Sequence, residues 1–231
     1  MSIFFKLPPE LRDQIYELCL LYPKAIHPGY YFNFQRWHIA VKLFYVSKAV
    51  HREASSFFYS KNCFDLTRLE DVEASFLTAI GRNADYIRHV CIDFPWFRTL
   101  EPVNIALFDL SLSWVVKLQN SCPNLATITT SLSSSDYLEW KLDELGHPEV
   151  VDKALEMVDT HFRAISSLPK IIIQLWKKRA KEGIRRKMES RGWRIKTTEY
   201  VEEEAGFDMA LPSGEDVSDD GSDDGGESRW R

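Results

Sequence analysis

The sequence predicts an α/β fold, with α+β as the alternative: an N-terminal helical module packed on an open, mostly parallel sheet with crossover helices, and after it a disordered acidic tail. Three observations carry this reading. Apolar residues recur at three- and four-residue steps near the N-terminus, as on a helix that packs along one side. From residue 63 onward, short strand-like runs alternate with helical ones. From Ser213 onward the apolar residues nearly vanish and acidic, Gly and Ser residues take over. The implied boundaries are 1–66 for the helical module, 67–202 for an α/β body continuous with it, and 203–231 for the tail.

The first helix is marked by "LPPELRDQIYELCLLYP". Pro8 or Pro9 suits a first helical turn, where proline's missing N–H has no intrahelical partner to lose, and Pro23 ends the pattern. Leu11, Ile15, Leu18, Cys19 and Tyr22 make the expected buried stripe, with Arg12, Asp13, Gln14 and Glu17 on the other side. After the aromatic loop "PGYYFNFQRW", the segment "LFYVSKAVHREASSFFYSKNCFDL" carries a second stripe of Leu43, Val46, Val50, Ala54, Phe57 and Phe58, then a short strand at Cys63–Leu66. Thr67 and Glu70 have capping-box spacing for a third helix that Gly81 would end.

Val90, Ile92 and Phe94 alternate with His89, Cys91 and Asp93, as in a strand. Pro102 is read as opening an apolar helix that runs through Leu118. "CPNLATITTSL" is the next strand, followed by a helix around Tyr137–Leu145 and another opened by Pro148, with Val151, Leu155, Val158, Phe162 and Ile165 as its apolar set. "KIIIQL" and "RIKTTEYV" are the last strands. Between them, Trp176, Ala180, Ile184 and Met188 repeat every four residues and predict a basic amphipathic helix. Strands separated by helices must be parallel, joined by right-handed crossovers. Their spacing is too irregular for a regular leucine-rich repeat.

Length and composition bound the function. With 231 residues, 45% hydrophobic and 13% aromatic, the chain can bury the core of one domain. It has no apolar run of bilayer-spanning length and no leader-like start, so the expectation is a monomeric protein of the cytoplasm and/or nucleus with no membrane association. Cys19, Cys63, Cys91 and Cys122 lack metal or redox spacing and are expected to be reduced and buried. No nucleotide-binding, zincin or nucleophile-elbow motif is present, and the six histidines share no ligand spacing. His51 and Glu53 match the His-x-Glu of zinc deaminases without its companion cysteines, and Asp216–Glu227 matches EF-hand spacing without flanking helices. The expectation is therefore a non-enzymatic protein with no cofactor and no metal.

Charge is unevenly placed. The net charge of −5 divides into −9 for residues 201–231 (2 basic, 11 acidic) and +4 for the rest. Lys177–Lys196 holds 10 Lys and Arg against Glu182 and Glu189. Lys177, Lys178, Arg179, Lys181, Arg185, Arg186 and Lys187 thus form a candidate basic patch for nucleic acid, with the acidic tail as an intramolecular competitor; the competing reading is the solvated face of an ordinary helix.

The segment "LPPELRDQIYELCL" resembles the first helix of an F-box. Together with the Val-Ser-x-x-Val-x-x-Glu-Ala helix and "FYSKNCF", it is similar to the fungal F-box-like proteins over about the first 95 residues. The resemblance implies an interaction module that docks on the Skp-type adaptor of a cullin ubiquitin ligase through Leu7, Pro8, Leu11, Ile15, Leu18 and Val46, while the remainder captures a substrate. Two features depart from the F-box pattern: "REASSFFYSKNCF" stands where the third helix and its tryptophan would be, and the aromatic loop separates the first two helices. The same apolar residues could instead pack against the chain's own body. Protein binding is the leading function read from the sequence, and nucleic-acid association is the alternative.

Overall fold

In a computed structural model of the chain, the described residues are 3–28, 40–67, 72–165, 170–177 and 182–199. Helix α1 spans Pro9–Leu20, with Pro9 in its first turn. A 3₁₀ turn at Val41–Tyr45 precedes α2, Lys48–Lys61, whose N-cap Ser47 accepts a hydrogen bond from the Val50 N–H at 3.2 Å. Then come β1 (Cys63–Asp65), α3 (Val72–Ile80), β2 (His89–Ile92), β3 (Phe97–Leu100), β4 (Ile105–Leu107), α4 (Asp109–Ser121), β5 (Thr127–Thr130), α5 (Leu132–Glu144), α6 (Pro148–Arg163), β6 (Lys170–Trp176), α7 (Glu182–Ser190) and β7 (Arg194–Thr198).

The main sheet has the order β1-β2-β5-β6-β7, with every neighbouring pair parallel. Ile26 adds a parallel bridge to Phe64 outside β1: its N–H donates to Cys63 O, and its carbonyl accepts from the Asp65 N–H, both at 2.8 Å. Strands thus join in chain order from Ile26 onward. With right-handed crossovers, a sheet that grows in one direction carries its connecting helices on one face. Burial follows suit: the cross-strand row Phe64, Val90, Ile128 and Ile171 is buried, whereas the adjacent row Cys63, His89, Thr127 and Lys170 is half-buried. The strand order resembles that of a solenoid although the sequence has no regular repeat. It also makes α2 the first crossover, so the N-terminal module and the body form one structure.

On the covered face, Val151, Leu155, Val158, Phe162 and Ile165 are all buried, as their spacing predicts. The Phe162 ring lies 6.3 Å from that of Phe94 and 6.2 Å from that of Trp193, whose indole N–H donates to Asp159 Oδ1 at 2.7 Å. Gly81, at φ +53°, ends α3 in the left-handed region that a side chain disfavours. Among the described residues, no helix is long and apolar enough to cross a membrane.

Three expectations are corrected. Pro102 opens no helix: with Val103 it forms the tip of the antiparallel β3–β4 hairpin, closed by reciprocal 3.0 Å bonds between the backbones of Glu101 and Asn104. Fixed φ and a missing N–H serve the second position of a tight turn as well as a first helical turn, so the residue alone does not separate the two. Trp176 lies in β6, not on the basic helix, which is described over Glu182–Ser190 and buries Ile184 and Met188; Ala180 lies outside the described residues. Val46 precedes the Ser47 cap and is exposed, so the second stripe is split between a 3₁₀ turn and α2. Thr67 donates to Asp65 Oδ1 from its N–H at 3.0 Å and its hydroxyl at 2.7 Å; the capping-box reading turns on Glu70 and its neighbours, which lie outside the described residues. The tail and its EF-hand-like spacing lie outside them too.

Candidate protein-docking face

Two motif residues, Glu53 in α2 and Asn62 at its end, hold α1. Arg12 reaches Glu53 with two hydrogen bonds of 2.9 Å, a bidentate pair, and donates a third to Leu7 O at 2.7 Å. The Tyr16 hydroxyl donates to Glu53 Oε2 at 3.1 Å, and the Arg12 guanidinium lies 5.4 Å from the centre of the Phe5 ring. The hydrogen bond from Arg12 holds the Glu53 carboxyl below its ordinary pKa, while burial pushes the Tyr16 phenol well up. At the other end of α2, Asn62 accepts from the Tyr22 N–H at 2.8 Å and donates to Leu20 O and Phe58 O at 2.9 Å. Ser47, Val50, Glu53, Ala54, Asn62 and Phe64 are thereby explained as cap, core, ion pair, core, clamp and sheet core.

This geometry overturns the expected buried face of α1. The residues turned inward are Tyr16 and Leu20, with Arg12 and Cys19 half-buried beside them. Leu11 is 44% exposed and Leu18 is 87% exposed; Ile15 is half-buried. Arg12, assigned from the sequence to the solvent side, takes an inward place because a bidentate carboxylate meets it there.

The outward residues belong to the set that the F-box resemblance implies for docking. Pro8, Leu11 and Leu18 are exposed on or beside α1, and Leu7 and Ile15 are half-buried. Val46 is 64% exposed at the entry to α2. Tyr45 and Leu21 are exposed as well, and the sequence reading had not singled them out; Tyr45, just before Val46 at a helix entry, was the available signal. Beside Tyr45 an open cleft is lined by Phe44, Ser47, His51, Arg52 and Tyr86.

The basic patch is differently placed. Lys177 pairs with Glu199 at 2.8 Å, Arg186 with Glu182, and Lys187 with Asp152; Arg185 donates to Trp176 O at 3.4 Å. Lys178, Arg179 and Lys181 lie outside the described residues. Hydrogen bonds from Lys187 and Arg191 hold the Asp152 carboxyl below its ordinary value, so these cations join α7 to α6.

Among the described residues no group of His, Cys, Asp and Glu has the arrangement of a metal site. All four cysteines are free thiols, Cys122 buried and the others half-buried, and burial pushes Cys63 and Cys122 up to about 12. His51 Nδ1 sits 2.9 Å from Phe44 O while Glu53 is engaged by Arg12, so the deaminase-like spacing forms no metal pair. The chain matches no protein-family model, and no curated protein or solved structure is significantly similar to it.

Proposed function

We propose that the chain is a non-enzymatic interaction protein that docks through Pro8, Leu11, Leu18, Tyr45 and Val46 on a partner protein, the Skp-type adaptor of a cullin ubiquitin ligase, and offers its α/β body to a substrate. The supporting observation is the outward set of large apolar side chains on α1 and at the entry to α2, beside motif residues already engaged in joining the two helices. Large apolar side chains left exposed in this number are a feature of protein-interaction sites. The nucleic-acid alternative has less support: the four described lysines and arginines of the patch each hold a partner within the chain.

The test is co-purification of the full chain with the adaptor. Wild type should form a complex, and the Leu18→Asp, Val46→Asp double variant should lose it while keeping the wild-type melting temperature. No complex from wild type at micromolar concentrations overturns the reading.

A further inference from the structure

A second exposed apolar feature lies far along the chain, beyond the carboxyl ends of β2 and β5, where ligands of parallel sheets commonly bind. Trp96 follows β2, and Tyr137 and Trp140 sit on α5, which follows β5. Their rings form a strip: Trp96 and Tyr137 are stacked at 5.6 Å, and Tyr137 and Trp140 are 6.0 Å apart. Trp96 is 58% exposed and Trp140 is 59% exposed. Beneath the Trp96–Tyr137 pair is a small slot walled by Phe94, Pro95, Leu138 and the stem of Lys141, whose ammonium lies 5.8 Å from the centre of the Tyr137 ring.

We propose that this strip binds an extended, proline-rich peptide segment with a basic residue at the Trp140 end. Polyproline II turns once in three residues, a rise of about 9.3 Å, so a run of rings spaced 5.6 and 6.0 Å apart is long enough to meet one full turn of such a segment. Such a segment is already extended when free and loses little entropy on docking to an aromatic surface. The charge around the strip selects the flank. Glu144 is exposed one helical turn after Trp140, so a carboxylate lies on the indole's side of α5, where an Arg or Lys of the segment would meet both. With Glu139 buried, Asp136, Asp143 and Glu144 still outnumber Lys141 among the residues of α5 that reach solvent, a balance that repels a phosphodiester backbone and argues against base stacking as the use of the strip. The proposal is independent of the face on α1.

The experiment titrates the full chain against a fluorescein-labelled oligoproline peptide ending in arginine and reads anisotropy; a Gly/Ser peptide of equal charge is the control. Saturable binding of the proline peptide alone is expected. Trp96→Ala and Trp140→Ala should each weaken it by about tenfold or more, with unchanged melting temperatures. Glu144→Gln should weaken the arginine-ended peptide and leave plain oligoproline unaffected, and Leu18→Asp should change neither. Should Trp96→Ala fail to fold, the exposed Trp140 carries the test. No saturation by about 1 mM peptide, or wild-type affinity in the folded tryptophan variants, overturns the proposal. So does binding of single-stranded DNA or an oligosaccharide to the strip in place of the peptide, or a self-association that the same variants abolish.

Discussion

Helices α1 and α6 both start on a proline and repeat apolar residues at three- and four-residue steps. The positions read as the stripe of α6 and its C-terminal flank are all buried, whereas in α1 Leu11 and Leu18 face outward while Tyr16 and Leu20 face the core. The difference lies in how much of each helix is apolar. Around α6 the charged residues Asp152, Lys153, Glu156 and Asp159 leave one apolar side, and that side is buried. Around α1, Leu11, Ile15 and Leu18 occupy one side, and Tyr16, Cys19 and Leu20 another. Periodicity announces an apolar side, but it does not say which of two will meet the core. The side of α1 that α2 does not take is the one proposed for the adaptor.

The strongest way to sharpen the contrast is to remove Phe162, which packs between Phe94 and Trp193. Phe162→Ala should destabilise the fold by about 3–5 kcal/mol, the usual range for a buried phenylalanine, as read by urea or thermal unfolding. An effect near zero would mean that the α6 side is no better packed than the outer side of α1.

A smaller loss is expected from Asn62→Ala, which strips partners from the Tyr22 N–H and the Leu20 carbonyl where the end of α1 meets α2, while the Phe58 carbonyl keeps the backbone N–H of residue 62. Backbone groups left unpaired there should cost about 1–3 kcal/mol. Amide hydrogen exchange should speed up first at residues 20–26, since that segment links the helices to the sheet bridge at Ile26.

The Arg12–Glu53 pair adds a weaker, pH-dependent contribution. The carboxyl of Glu53 has a lower pKa folded than unfolded, where it is about 4.3. Around that pH the unfolded chain holds more of the proton, so stability rises with pH. The contribution is present above the unfolded value and is lost as pH falls through the folded one. Glu53→Gln should therefore lower the melting temperature at pH 7 and narrow the gap to wild type at pH 3. A gap unchanged between the two would show that the pair contributes nothing beyond its shape.

The smallest effect is expected at Leu18. Leu18→Asp should change stability by no more than about 0.5 kcal/mol, as exposed substitutions do, whereas Leu155→Asp at the matching inward place on α6 should unfold the chain. A several-kcal/mol loss at Leu18 would put α1 on the same footing as α6 and remove the basis for an outward docking face.

The sequence was most informative where one physical requirement dominates. Alternation and β-branched runs located β1, β2, β5, β6 and β7, and the helices between them dictated parallel pairing, because no tight turn crosses a helix. Proline and charge spacing marked α1 and α6. Where a residue serves two structures equally well, the reading failed: Pro102 suits a hairpin tip as well as a helix start, and Trp176 continued a four-residue rhythm while belonging to a strand. Of the candidate docking residues, the sequence supplied the identities through a resemblance, but their outward placement depends on Arg12 meeting Glu53, 41 positions away. The Trp96, Tyr137 and Trp140 strip depends likewise on bringing the end of β2 beside α5. Local spacing fixes which way a residue points along its own element. Which side of the element is covered depends on the order in which strands join the sheet and on pairings between distant residues, and tertiary structure alone decides that.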